Sequence, residues 1–169
     1  SPAAKAGLRQ GDLIGKIVAT SDETTIFDRR GSAQQCDPMT LPDRLRRHAG
    51  ETITLTITRE AEKEPIEIQA KLRRADWYES PIEEGNPMTA PALGIAFPVF
   101  NIVRSTIEGS PAARAGLLSG DEIVKATLLP PEAQAPREEE LGQKKVDIEF
   151  NEKKRNWPLL IYGLQQLLP

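Results

Sequence analysis

The stretch SPAAKAGLRQGDLIGK at residues 1–16 returns as SPAARAGLLSGDEIVK at residues 110–125. Eleven of the sixteen aligned positions are identical, and the two copies begin 109 residues apart. This spacing is longer than the roughly 20–50 residues of a solenoid repeat and suits two small domains in tandem. The chain is therefore predicted to contain two versions of one domain.

Each copy of the block has the features of a short helix followed by a turn and a strand. Ser1 and Ser110 can cap the helix, and each is followed by a proline at the first helical position, where no amide donor is missed. Gly7 and Gly116 can end the helix in the left-handed conformation that glycine adopts without strain. The Gly-Asp pair that follows in each copy predicts a tight turn before a strand.

Periodic segments after the block extend the repeat. In the first copy, Pro42–His48 is predicted to be a helix, and Glu51–Arg59 and Pro65–Leu72 alternate between apolar and polar residues as the two strands of a hairpin do. In the second copy, leucines recur at helical spacing over Pro158–Leu168. This stretch is predicted to be the counterpart of the first helix.

Further strands and loops are predicted on either side of the second block. Leu93–Phe97 and Asn101–Ile107 are predicted strands ahead of it, and Val146–Phe150 is a predicted short strand behind it. Thr20–Thr40 and Leu129–Lys145 are rich in turn residues and are predicted to be loops inserted in the domains. The strands ahead of the second block have no counterpart ahead of Ser1.

The predicted architecture is mainly β with short helices, an α+β fold made of two partly open β-barrel or sandwich domains. The first domain is placed at residues 1–75 without leading strands, and the second at 92–169 without a trailing hairpin. Residues 76–91, with several prolines, form the predicted linker. Since each copy lacks what the other has, we expect an excised fragment of a larger protein, whose open edges favour self-association.

Composition restricts the function classes. The chain has 22 basic and 25 acidic residues, a balance that gives no electrostatic footprint for nucleic acid or for an anionic membrane. No apolar run approaches the roughly 20 residues of a membrane-spanning helix. We therefore expect no nucleic-acid partner, and contact with a membrane only through other parts of a larger protein.

The residues that usually carry catalysis are scarce. Cys36 and His48 are the single cysteine and the single histidine, so no zinc site can draw on several ligands of these types. A catalytic Cys36–His48 dyad would need an orienting group and an oxyanion hole, and no sequence motif indicates either of them. No phosphate-binding glycine loop or dinucleotide fingerprint is present. The chain is predicted to be a binding or regulatory piece without a cofactor or a catalytic residue.

The repeated string SPA-x-x-AGL-x-x-GD-x-I resembles the PDZ domain of bacterial envelope proteases. This resemblance implies capture of an extended peptide by strand addition, often with its C-terminal carboxylate held by backbone amides. The family's apolar-Gly-apolar loop matches ALGIAF, and the helix at 158–168 would form the far wall of the groove. Pro98 departs from the pattern, because proline cannot donate to an added strand. The residues expected to contact the peptide are Leu93, Gly94, Ile95, Ala96, Leu160 and Leu164.

The order of both copies resembles the periplasmic tandem PDZ region of site-2 proteases, the intramembrane zinc metalloproteases of the sigma-E envelope stress response. The likeness includes the linker segment LRRADWYESP and the ALGIAF start of the second domain. It implies a position on the extracytoplasmic side of the bacterial inner membrane. It also implies a filter that admits a membrane-protein substrate only after a first cut. The family's zinc would be held by a His-Glu-x-x-His motif that this sequence does not contain.

Two other classes remain open. The paired PDZ region of a periplasmic trypsin-like serine protease shares the repeated block and recognises exposed C-termini. A PDZ adaptor without any protease is the third interpretation. In all three the expected partner is a protein or peptide segment.

Overall fold

A computed structural model describes residues 1–75, 82–129 and 146–167. The chain divides into two compact units, one made of Ser1–Tyr78 and Thr89–Phe97 and the other of Glu79–Met88 and Pro98–Pro169. The described elements are mainly β with a few short helices, which confirms the α+β class. The sheets are open and do not close into barrels. Most of the predicted loop at 129–145, and residues 76–81 of the predicted linker, lie outside the described residues.

The first unit is built around one antiparallel sheet with the strand order β2-β1-β3-β4. Alternation places Ile53, Leu55 and Ile57 of β3 on the covered face, and all three side chains are fully buried. The predicted hairpin and helix are confirmed. The elements are α1 (Pro2–Lys5), β1 (Leu13–Ala19), β2 (Thr25–Asp28), α2 (Leu41–Arg47), β3 (Thr52–Thr58) and β4 (Ile66–Lys71).

Strand β2 lies inside Thr20–Thr40, so the prediction of a loop there is wrong over these four residues. Thr25–Asp28 pairs with β1 and buries Ile26 in the core. Four residues are too few for alternation to be recognised, and the polar residues around them resemble a loop. The segment that follows is fixed by Arg44 of α2, whose guanidinium donates to the backbone carbonyls of Ile26, Gln35 and Asp37.

Residues 89–97 belong to the first unit, although in sequence they lie ahead of the second block. Ala90, Ala92 and Leu93 are buried in the same cluster as the β1 and β3 side chains. The strands β5 (Met88–Ala90) and β6 (Ile95–Phe97) form a separate two-stranded sheet. The structure thus divides the chain differently from the predicted domains 1–75 and 92–169. A buried site accepts any chain segment whose apolar residues fill it, whatever that segment's neighbours in sequence.

The structure describes fewer regular elements in the second unit than in the first. Its described elements after residue 97 are α3 (Pro111–Arg114), β7 (Lys125–Leu128), β8 (Val146–Glu149) and α4 (Trp157–Leu167). Its core consists of Leu128, Ile148 and Phe150, with the Trp157 ring 4.9 Å from that of Phe150. The predicted strand at 146–150 and the predicted last helix are confirmed. No helix of the described segments is long and apolar enough to cross a membrane.

The predicted strand Asn101–Ile107 forms only in part. Ile102 makes an isolated antiparallel bridge with Glu122, and the Val103 amide donates to the Asp121 carbonyl at 2.8 Å. At Arg104 the backbone carbonyl accepts a hydrogen bond from the Ser119 side chain, and the chain then runs to the cap of α3 without regular strand structure. The alternating sequence therefore predicts more strand than the single available partner segment supports.

Strand register shows that the repeat continues beyond the sixteen matched residues. Lys16 of β1 faces Asp28 of β2, and Lys125 of β7 faces Glu149 of β8. Lys16 and Lys125 are equivalent positions in the repeated block, so β8 is the counterpart of β2. In both units a helix follows this second strand.

Candidate functional site

The two copies of the repeated block have the same local geometry. The Ser1 side chain accepts a hydrogen bond from the Ala4 amide at 3.3 Å, and the Ser110 side chain accepts one from Ala113 at 3.2 Å. Gly7 and Gly116 end the helices at φ values of 84° and 86°. The predicted caps and helix stops are therefore confirmed in both copies.

The predicted peptide-binding loop lies against the first copy of this turn. The Ala3 amide of α1 donates to the Leu93 carbonyl at 2.9 Å, and the Leu93 side chain is fully buried. Gly94 has a φ of +80°, and a Cβ built on it would be 2.3 Å from the Cβ of Ser1. Only glycine fits this position, because a side chain would add a steric clash to an unfavourable backbone conformation.

Two consecutive amides of this loop point at one oxygen. The Leu93 and Gly94 amides both donate to the Ala90 carbonyl, at 3.1 Å and 2.7 Å. Adjacent amides that converge in this way form a small anion-binding concavity. Here its acceptor is supplied by the chain itself, so a peptide carboxylate would have to replace the Ala90 carbonyl to bind there.

The residues that follow form the short strand β6. Ile95 is half-buried and packs against the first unit's core, whereas Ala96 is exposed. The strand ends at Phe97, immediately before the exposed Pro98. A strand of three residues offers few backbone groups, and the proline that follows has no amide to donate. Strand addition at β6 would therefore be short.

The other wall predicted for the groove belongs to the second unit. Leu160 of α4 is partly buried against the Leu128–Phe150 cluster, and Leu164 is 47 % exposed. The structure thus brings Leu93, Gly94 and Ile95 together on one unit and places Leu160 and Leu164 on the other. The peptide-binding role of these residues stays a prediction.

A partly buried ion pair between Asp12 and Arg59 holds the first repeated turn, and it was not predicted from the sequence. Arg59 at the end of β3 donates to both carboxylate oxygens of Asp12, each at 2.8 Å, and also to the Gly7 carbonyl. The Asp12 side chain is 2 % exposed. The hydrogen bonds from Arg59, more than any other contact, lower the pKa of Asp12 from 3.8 to about 2. The signal that could have predicted this ion pair was the arginine at the end of the alternating strand.

The equivalent aspartate in the second unit keeps the turn without this partner. Asp121 accepts the Leu118 amide at 2.8 Å, as Asp12 accepts the Arg9 amide. Among the described residues no arginine takes the place of Arg59 beside it. The turn is therefore a property of the repeated block, and within the described ranges the ion pair is found only in the first unit.

Cys36 and His48 have separate local partners. The Cys36 thiol donates to the Ala33 carbonyl, and His48 Nδ1 lies 3.1 Å from a Glu51 carboxylate oxygen. His48 follows the last residue of α2, where the sequence placed it. Within the described ranges no three His, Cys, Asp or Glu side chains are grouped so as to hold a metal ion. Comparison of the chain with protein-family models, curated proteins and solved structures gave no match.

Proposed function

We propose that this chain is a non-catalytic, PDZ-like recognition region that contacts polypeptide substrates on behalf of an intramembrane zinc metalloprotease. The observation that carries the proposal is the loop of Leu93 and Gly94 packed on the capped turn of α1. An apolar-Gly-apolar loop beside such a turn is the feature that PDZ domains use for peptide capture. The repeated block, present in both units, supports a tandem arrangement.

The proposed binding step uses backbone groups rather than reactive side chains. A peptide C-terminus would displace the Ala90 carbonyl from the Leu93 and Gly94 amides, and its last residues would lie along β6. Because β6 has only three residues, few hydrogen bonds are available and affinity should be micromolar or weaker. Weak, sequence-tolerant contact suits a filter that samples many membrane-protein substrates.

In this proposal the chemistry lies outside the chain. The zinc of the related proteases would sit on a His-Glu-x-x-His motif, and a sequence with one histidine contains no such motif. The chain would lie on the extracytoplasmic side of the inner membrane. There it would restrict entry of substrates that still carry a bulky folded domain.

Titration of the full chain with an apolar C-terminal peptide, as free acid and as amide, tests the proposal. We expect the acid to bind at least about fivefold more tightly, because charge-assisted hydrogen bonds to amides are roughly twice as strong as neutral ones. Gly94→Ala should weaken binding, since the added Cβ meets Ser1. Gly50→Ala is the matched control, with a φ of +89° and open space around its Cβ.

Equal binding of acid and amide would contradict carboxylate capture. Equal effects of the two glycine variants would show that backbone strain, rather than the loop's contact with α1, determines the result. Absence of binding by either peptide, with both variants folded, would leave only the steric role, and the peptide-recognition part of the proposal would be abandoned.

A further inference from the structure

A cavity of about 270 Å³ lies in the second unit, and none of the six residues expected to contact a peptide lines it. Its walls come from three separate segments: a turn at 85–87, the pair Pro98 and Val99, and the residues 152, 153 and 155 that precede α4. This volume is slightly below the roughly 300–1,000 Å³ of sites that hold drug-sized molecules. The cavity suits one or two amino-acid side chains.

The three walls are connected by polar contacts, of which those of Asn156 and Trp157 are partly buried. Asn156, 1 % exposed, accepts the Gly85 amide at 2.6 Å and donates to the Glu149 carbonyl at 2.7 Å. The indole of Trp157 donates to the Val99 carbonyl at 3.1 Å. Lys154 pairs with Glu84 at 2.9 Å beside the same turn. The three segments that line the cavity are therefore linked to one another by hydrogen bonds and one ion pair.

Arg155 supplies a positioned cation on the cavity wall. Its guanidinium lies 4.2 Å from the centroid of the Phe100 ring, a stacking contact that restricts the side chain. In the described part of the chain, Arg155 Nε is buried without an acceptor, and no carboxylate forms an ion pair with this residue. The positive charge of Arg155 is therefore not neutralised by a carboxylate of the described residues, and it favours an anionic partner in the cavity.

The lining defines the ligand class. Two cations, Lys153 and Arg155, outnumber the single acidic residue, Glu152, while Pro87, Pro98 and Val99 supply apolar surface. A planar guanidinium matches the two oxygens of a carboxylate. We propose that this cavity binds a carboxylate borne by a small apolar peptide segment, either a C-terminus or a glutamate side chain. The site is independent of the loop at Leu93.

Residue-resolved NMR titration of the full chain tests the proposal. The probes are acetyl-Leu-Val with a free carboxylate, the same dipeptide as its amide, acetyl-Leu-Glu-amide and acetyl-Leu-Gln-amide. Both carboxylate probes should shift the amide signals of Gly85 and Arg155 and the indole signal of Trp157 at millimolar concentration, and the neutral probes should not. A preference between the two carboxylate probes distinguishes a C-terminus from an acidic side chain.

Variants connect the signal to the proposed cation. Arg155→Gln should weaken binding of the carboxylate probes at least about fivefold, because a charge-assisted hydrogen bond is lost. Lys153→Gln, at an exposed residue, should weaken it about twofold to threefold by loss of a screened charge. Lys63→Gln, an exposed lysine of the first unit, is the control and should leave binding unchanged.

Three results would overturn the proposal. The first is the absence of a shift at Gly85, Arg155 and Trp157 with either carboxylate probe. The second is equal binding of the carboxylate and neutral probes. The third is unchanged binding in Arg155→Gln. If Arg155→Gln fails to fold, Lys153→Gln decides alone, and an affinity equal to that of Lys63→Gln contradicts the proposal.

Discussion

The two units start from nearly the same sixteen residues and end with unequal cores. In the first, β1 lies between two partner strands, and its Ile17 and Ala19 are fully buried. In the second, β7 is paired with β8 alone among the described strands, and Ala126, the counterpart of Ile17, is only half-buried. The block thus determines the turn and the start of the strand, while the depth of the core depends on which distant strands cover it.

The two units also differ in how many large apolar side chains they expose to solvent. Of the ten large apolar side chains that are exposed in the described segments, Leu13 alone lies in the first unit. Such residues indicate a contact surface only where they form a contiguous patch. In the described segments, the second unit carries nearly all of them. Its exposed residues are Phe100, Ile102, Ile107, Leu118, Val124, Leu129, Val146, Tyr162 and Leu164.

Replacing one leucine by alanine in α2 and one in α4 should give the largest difference in stability loss between the units. Leu45→Ala in α2 removes a fully buried side chain and should destabilise the first unit by about 3 kcal/mol. Leu164→Ala in α4 removes a side chain that is 47 % exposed and should cost less than about 1 kcal/mol. Amide hydrogen exchange, read separately for each unit, measures both effects. Equal losses would mean that the second core is as well covered as the first.

Replacing the equivalent aspartates of the two repeated turns should give the second largest difference in stability. Asparagine keeps an oxygen for the turn amide, so Asp121→Asn should change stability little, whereas Asp12→Asn also loses the ion pair with Arg59. Because the pKa of Asp12 is lowered to about 2, its contribution is present above pH 3.8 and is lost as pH falls through about 2. Thermal unfolding across this pH range should show Asp12→Asn below wild type at neutral pH and converging with it in acid. A constant gap would contradict the assigned pKa.

Removing the two helix caps should give the smallest difference in stability between the units, because both caps have the same geometry. Ser1→Ala and Ser110→Ala each remove one acceptor from an orphan helix amide, at 3.3 Å and 3.2 Å. Each should cost about 1 kcal/mol. Hydrogen exchange at Ala4 and Ala113 measures the local effect. A much larger cost at Ser1 would show that this residue acts mainly through its contact with Gly94.

The sequence predicted well those features that depend on neighbouring residues. Caps, left-handed glycines and the alternating β3–β4 hairpin each depend on a pattern within a few residues, and all are present. The short strand β2 was not predicted, because four residues carry too weak a pattern. For the candidate site, the sequence identified the loop of Leu93 and Gly94 but placed it in the other domain. Its packing on α1 depends on a contact across about ninety residues, which local patterns do not encode.

The position of Leu93 in the first core also affects the order of folding. Residues 1–75 contain the whole four-stranded sheet, yet Ala90, Ala92 and Leu93 complete its core from beyond residue 88. We therefore expect the core of the first unit to be completed during synthesis only after the segment at 89–97 has left the ribosome. Until then, we expect part of its apolar face to stay exposed, as in the incompletely packed intermediates that chaperones bind.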